Sequence, residues 1–341
     1  MKQKISLLLL TLLLAGCTTV SPDAPTDTDS VAAQRETKTV ATSFYPLWFL
    51  TSQIVSDTMN VINLAGAADV HEYEPSPQDI VQINNADLVI FQGSQLEPWI
   101  ENIISELKEK NKATVEVSKN IDLAEMTKHE SHDKHDDHDE HDDNHDENKD
   151  KSEDHSDHEA DKHDEHNHGQ FDPHTWLDPV LAQDMIDVIT AALIEISPEN
   201  NALFTERAAE LKQRFASIDT QYTSSLSQCA QREVIISHDA FGYVARRYGF
   251  ETHAITGLST QDEPSAKILA ELKDEAAEGF THILAEENNI RRFAETLSNE
   301  TGLEILAVNP LGRGTLDADK DFFDILTQNL ASFSTALNCT S

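Results

Sequence analysis

The sequence predicts an α/β protein: two Rossmann-like lobes with parallel sheets, joined by a long rigid helix, with a cleft between them. Three observations predict it. Short β-rich runs alternate with helical stretches in two separate series, the pattern of βαβ units. One run, 87–91, is continuously apolar after its opening Asp87, as expected of a strand covered on both faces. A single helical stretch of roughly thirty residues is about 45 Å long at 1.5 Å per residue, too long for one small lobe.

In chain order, β-rich runs at 39–42 and 61–65 flank a helical stretch through 49–58. Ser76-Pro77-Gln78-Asp79 opens the next helix, because Ser76 suits the cap and Pro77 the first turn. The strand 87–91, a helix over 96–110 and a strand over 113–117 complete the first series. A low-complexity insertion, 120–170, interrupts it, and order resumes at Phe171. Residues 179–196 are helical. Pro198 opens the long helix, which runs to 228 with Leu203, Phe204, Leu211, Phe215 and Ile218 at helical spacing. The second series follows: strands at 234–237, 251–255, 282–285 and 304–308, and helices at 241–248, 264–278, 291–301 and 319–337. The expected organisation is a signal peptide at 1–16, a tether at 17–38, an N-terminal lobe at 39–197, the linking helix at 198–228 and a C-terminal lobe at 229–341. In such open sheets ligands sit outside the carboxyl ends of the strands.

Met1-Lys2-Gln3-Lys4, the apolar stretch from Ile5 to Leu14 and Ala15-Gly16-Cys17 describe a secretory signal peptide. About ten apolar residues are too few to span a bilayer. Leu14-Ala15-Gly16-Cys17 resembles a bacterial lipobox, which implies cleavage before Cys17 and a lipid on its thiol. The plainer alternative is a signal peptide with an incidental cysteine. The Thr-, Asp-, Ser- and Pro-rich segment 18–38 reads as a flexible tether. The expected location is therefore outside the cytoplasm, anchored to a membrane through Cys17.

The formal charge is −37, and −39 once Lys2 and Lys4 leave with the signal segment. Such a chain will not hold a nucleic-acid backbone. Apart from Cys17, the cysteines are Cys229 and Cys339. In an oxidising compartment an even pair favours a disulfide; two buried thiols are the alternative.

Between His129 and His168 stand eleven of the sixteen histidines, among eighteen Asp and Glu. They are His129, His132, His135, His138, His141, His145, His155, His158, His163, His166 and His168. Imidazole is the commonest ligand of zinc and its neighbours. The run is too poor in apolar residues to fold, so it is expected to be an accessory, weak collector of metal ions serving an ordered site elsewhere. A solvated spacer is the plainer reading. Outside the run, His71, His174 and His238 fall on strand-to-helix connections, where the cleft should be. His253 and His282 fall in strands and read as structural.

His71-Glu72-Tyr73-Glu74-Pro75-Ser76-Pro77, Asp172-Pro173-His174-Thr175-Trp176-Leu177-Asp178-Pro179 and Ser237-His238-Asp239-Ala240-Phe241-Gly242-Tyr243 resemble motifs of the metal-binding solute receptors of bacterial ABC transporters. The similarity is closest to the zinc branch, the ZnuA-like proteins. Phe44-Tyr45-Pro46-Leu47, Asp262-Glu263-Pro264-Ser265 and the acidic His-rich insertion fit the same family. The resemblance spans about residues 38–341. It implies a monomeric zinc receptor that hands its metal to a permease with its ATPase, and it places the ligands at His71, His174 and His238. Some relatives, notably manganese binders, add a carboxylate after a strand resembling 305–308. This chain reads Asn309-Pro310-Leu311-Gly312 there, and Gly312 has no side chain to donate. Glu286 and Glu287 are candidates for a fourth ligand or a ring partner; water or a mobile ligand is the alternative.

Three imidazoles without a firm carboxylate favour Zn2+, whereas manganese would prefer more oxygen. Asp239, Glu72 and Asp178 are candidates to hold ring N–H groups; helix N-capping or a solvated loop is the plainer alternative, and for Asp178 it is at least as good a reading. Three His with an open position is also the pattern of catalytic zinc. The ordered histidines, however, stand singly on different loops, with no His-Glu-x-x-His, Gly-x-Ser-x-Gly or Walker element. An enzyme is therefore not expected. A metal-buffering adhesin on the same fold is the remaining alternative.

Overall fold

In the computed structural model the described residues are 37–121, 172–261, 263–277, 279–287, 290–313 and 320–340. The expected signal segment, Cys17, tether residues 18–36 and all eleven histidines of the run lie outside the described residues. Ordered structure continues to Ile121, which is buried, so it reaches slightly past the expected start of the insertion at 120.

Among the described residues, eight strands form two four-stranded sheets, every pairing parallel. β1 (Thr39–Thr42), β2 (Asn60–Asn63), β3 (Leu88–Phe91) and β4 (Ala113–Glu116) make the first, in the order β2-β1-β3-β4. β5 (Glu233–His238), β6 (Glu251–Thr256), β7 (His282–Ala285) and β8 (Glu304–Ala307) repeat that order as β6-β5-β7-β8. The registers pair Val40 with both Val61 and Leu88, and Ile235 with both His253 and Ile283. In each sheet the chain leaves the first strand toward one edge and returns on its other side. A switch point therefore opens between β1 and β3, and another between β5 and β7, each with its crevice at the carboxyl ends. All four residues of β3 are buried, as its unbroken apolar sequence requires.

Local sequence chemistry places the helices. α1 (Tyr45–Val55) starts four residues before its expected position, because Pro46 fits the first turn and Tyr45, Leu47 and Phe49 are buried against the core. α2 (Pro77–Asn85) begins with a capping box between Ser76 and Asp79. α3 (Pro98–Glu109) and α4 (Leu181–Ile196) follow. The expected linking helix is divided: Pro198–Asn200 form a 3-10 turn, and α5 (Asn201–Leu226) runs 26 residues, about 39 Å. α6 (Gly242–Tyr248), α7 (Ala266–Ala276), α8 (Arg291–Thr301) and α9 (Phe322–Ala336) belong to the second half. Asp321 caps α9 by accepting from the Phe323 and Asp324 amides, so this helix starts three residues later than expected. No helix among the described residues is long and apolar enough to cross a membrane.

Three apolar clusters sit around the two sheets. Ile83, Val89 and Ile100 belong to a cluster under α2 and α3, and Ile235, Leu272 and Leu297 to one under α7 and α8. The other faces of both sheets share one cluster that runs from Val40 and Ile90 through Phe204, Phe215 and Tyr222 of α5 to Ile236 and Leu284. α9 reinforces this sharing. The Phe322 ring lies 5.2 Å from Phe49 of α1 and 5.6 Å from Phe215 of α5. The Tyr222 hydroxyl donates to Leu326 O at 2.7 Å. Behind α5, Cys229 and Cys339 are joined by a disulfide across 110 residues, flanked by backbone bonds from Ala230 N to Asn338 O and from Gln231 N to Leu337 O.

Candidate metal centre

His71, His174 and His238 converge from three segments far apart in sequence. One ring nitrogen of each lies within 4.8 Å of the others. His238 is the last residue of β5, at a switch point. His174 precedes a 3-10 turn, Thr175–Leu177. His71 lies on the connection between β2 and α2. His174 and His238 are buried at 0% and 1% exposure, and His71 is half-buried.

Neighbouring carboxylates set the tautomers. His174 Nδ1 stands 2.7 Å from Asp172 Oδ1. An ionised carboxylate only accepts, so Nδ1 donates and Nε2 keeps its lone pair. That Nε2 lies 3.4 Å from His71 Nε2. Two ligands of a tetrahedral zinc at about 2.0–2.1 Å stand about 3.3 Å apart, so this pair is spaced for a metal. His238 Nδ1 faces Glu286 Oε1 at 2.9 Å, and its Nε2 faces Leu258 O at 3.0 Å. The latter contact must give way for His238 to offer Nε2 to a metal.

The three rings differ in proton affinity. Burial, and then the charges of His174 and His238, lower the His71 pKa to about 3. Burial and then His238 hold His174 well below the usual imidazole value. Burial also pulls His238 down, but the Glu286 hydrogen bond and charge outweigh it, and its pKa is raised. Two rings are thus held neutral, as a metal ligand must be, and one carries an exchangeable proton.

The loop bearing His174 is pinned from both halves of the molecule. Gln92 Nε2, after β3, donates to Pro173 O and to Thr175 Oγ1. The Tyr243 hydroxyl of α6 donates to Asp172 O at 2.8 Å, and Trp176 Nε1 donates to Pro310 O at 2.7 Å. Behind Gln92, the buried Glu97 accepts from Ser43 Oγ and from the amides of Gln92 and Gly93. Burial pushes the Glu97 pKa up to about 7 against those bonds. The His71 loop is held from the second half: Val70 N donates to Gly312 O, Gln261 Nε2 to His71 O and Arg313 Nη2 to Asp69 Oδ2.

Of the two glutamates singled out from sequence, Glu286 is buried and faces His238, whereas Glu287 Oε1 pairs with Arg291 on the surface. Asp178 accepts from Val180 N and Leu181 N at the start of α4 and pairs with Arg247. Asp239 Oδ1 lies 3.4 Å from Thr252 Oγ1, and the Asp239 charge adds to those that raise His238. Glu72 N donates to Asp69 O, and among the described residues no hydrogen bond joins its carboxylate to a histidine ring. Asp172, which sequence reasoning passed over, holds the His174 ring. Its signal was the Asp-Pro-His spacing, which lets the carboxylate bend back onto both the His174 amide and ring. His253 stays in β6 with Glu275 and Glu233 beside its ring, and His282 Nδ1 contacts Thr281 Oγ1.

Residues 40–336 match the family described as "ZnuA: Zinc-uptake complex component A periplasmic". The High-affinity zinc uptake system protein ZnuA of Bacillus subtilis is 33% identical over 303 residues, covering 87% of each chain. The Zinc-binding lipoprotein AdcA of Streptococcus pneumoniae is 31% identical over 296 residues, 85% of this chain and 54% of the relative. The chain thus spans about half the length of that relative. The crystal structure of the Zn(II)-bound ZnuA-like domain of Streptococcus pneumoniae AdcA superposes with a TM-score of 0.68 at 28% identity, over 89% of this chain and 99% of the domain. With the matched residues running through both sheets and all three histidines, the chain belongs to the ZnuA family.

Proposed function

We propose that this protein is a zinc receptor that captures Zn2+ outside the cytoplasm and passes it to an ABC permease and its ATPase, with His71, His174 and His238 as the zinc ligands. The observation that carries the reading is the converging triad, in which two Nε2 atoms stand at the spacing of a tetrahedral zinc. The names of the related zinc-uptake and zinc-binding proteins support it. Asp172 and Glu286 orient two of the rings and supply negative charge near the cation. The metal loads by displacing a proton from His238 and its Nε2 contact with Leu258 O. Cys17 is proposed to carry the lipid that holds the receptor at a membrane, the run from His129 to His168 to collect zinc weakly, and the receptor to work as a monomer.

Competitive zinc titration tests the assignment. Alanine at His71, His174 or His238 should each abolish the tight site, while deletion of 129–168 should leave it and remove only weak sites. Unchanged affinity in all three substituted proteins, or loss of the tight site on deletion, refutes this division of roles.

A further inference from the structure

We propose that the cavity beside the His71–His174–His238 triad binds a small organic carboxylate that completes the coordination of the captured zinc, with Arg313 as its second anchor. The inference rests on the zinc-receptor reading above and deepens it by naming a co-ligand. Size is the first observation. The cavity measures about 220 Å³, whereas one water takes up about 30 Å³ of liquid. A metal-bound water would use a small part of that space, yet the cavity is smaller than the roughly 300–1,000 Å³ of sites for larger organic ligands. It suits a molecule of a few carbons.

The walls are the second observation. The triad forms one end; Trp176, Val308 and Ile325 add apolar surface, and Arg313 and Lys320 stand among the lining carboxylates Asp69, Glu286 and Glu287. Arginine is the side chain suited to a carboxylate, through its forked donors. Arg313 stands close to the triad: its Nη2 lies 3.4 Å from Asp69 Oδ2, and Asp69 Oδ1 accepts from His71 N at 3.1 Å. The cavity's own carboxylates are engaged: Asp69 with Arg313 Nη2, Glu286 with His238, Glu287 with Arg291; the Arg313 guanidinium carries further donors besides Nη2.

Gly312 is the third observation. It lines the same cavity, and a Cβ there would meet only Val70 Cγ1 at 3.6 Å and Asp69 Oδ1 at 3.9 Å, ordinary contacts. The fold would accept a side-chain ligand at this position, and the sequence supplies none. A carboxylate from solution, bound to zinc through one oxygen and drawn toward Arg313, takes that role.

Cobalt(II), whose visible bands report its coordination, is the probe. The full chain carrying one equivalent of cobalt(II) is titrated with acetate and with succinate. The expected result is a saturable change in the bands and roughly tenfold slower loss of cobalt to a chelator, the scale of an arginine–carboxylate contact. Arg313→Ala should lose most of this carboxylate response, measured as the ratio with and without carboxylate within that protein. Gly312→Glu should abolish it by supplying the carboxylate internally. Bands indifferent to both carboxylates, or an undiminished response in Arg313→Ala, overturn the proposal alone. Wild-type bands that match those of His174→Ala overturn the receptor reading and the proposal with it.

Discussion

Zinc affinity should fall about tenfold, and no faster, for each pH unit below the pKa of His238. His71 holds its proton only near pH 3, and His174 only well below the usual imidazole range. His238 is raised, because Glu286 and Leu258 O accept from its two ring nitrogens. Below the His238 pKa, and above the range in which His174 and His71 take up protons, the metal therefore displaces one proton, which costs about 1.4 kcal/mol per pH unit. Three unperturbed imidazoles would give a dependence approaching a thousandfold per unit below pH 6.5. Glu286→Gln removes the charge that raises His238, so the onset of the fall should move to lower pH. The loosened ring should also weaken affinity at pH 8 by about 10–100-fold. The assay is competition against a chelator of known pH dependence, in protein lacking 129–168 so that weak imidazoles do not titrate. A slope of two or three protons, or an unmoved onset in Glu286→Gln, refutes the reasoning.

Asp172→Ala should weaken zinc about 10–100-fold by freeing the His174 ring, read by the same competition; unchanged affinity would show that the ring is held by packing alone. Reducing the Cys229–Cys339 disulfide should lower stability by about 4–5 kcal/mol on the chain-entropy scale for a loop of this length. A denaturant midpoint unaffected by reductant would contradict it. Glu97→Ala strips the acceptor from Ser43, Gln92 and Gly93 and should cost on the order of 3 kcal/mol or more, at about 1–3 kcal/mol for each orphaned donor, measured by urea unfolding.

The alternation of strands and helices was legible because each β-run is short, apolar and bounded by turn chemistry. The end of the β5 run also puts His238 at a carboxyl end. Other features were not legible, for identifiable reasons. Glu286 and Glu287 are adjacent and chemically alike; only the orientation of the backbone leaving β7 turns one inward to His238 and the other outward to Arg291. Asp178, close in sequence to His174, suits either a ring or a helix start; it takes the amides at the start of α4, and Arg247, 69 residues away, completes its partners. The start of α1 was misplaced because apolar spacing was weighed above the Pro46 signal. The reach of α9 to α1 depends on aromatic contacts between residues more than 270 positions apart, which no local pattern encodes.

The apolar cluster shared by both sheets also bears on how the molecule is kept or destroyed. Neither half has a complete interior without the other, since α5 and α9 serve both. Melting one half would expose the apolar face of its neighbour, so the described fold should open as a single cooperative unit. Zinc held by histidines from both halves then protects every part of it: a free concentration one thousandfold above Kd adds about 4.1 kcal/mol against global opening. Loaded molecules would outlast unloaded ones under proteolysis wherever opening precedes cleavage, and the size of the surviving pool would itself record how much zinc the surroundings hold.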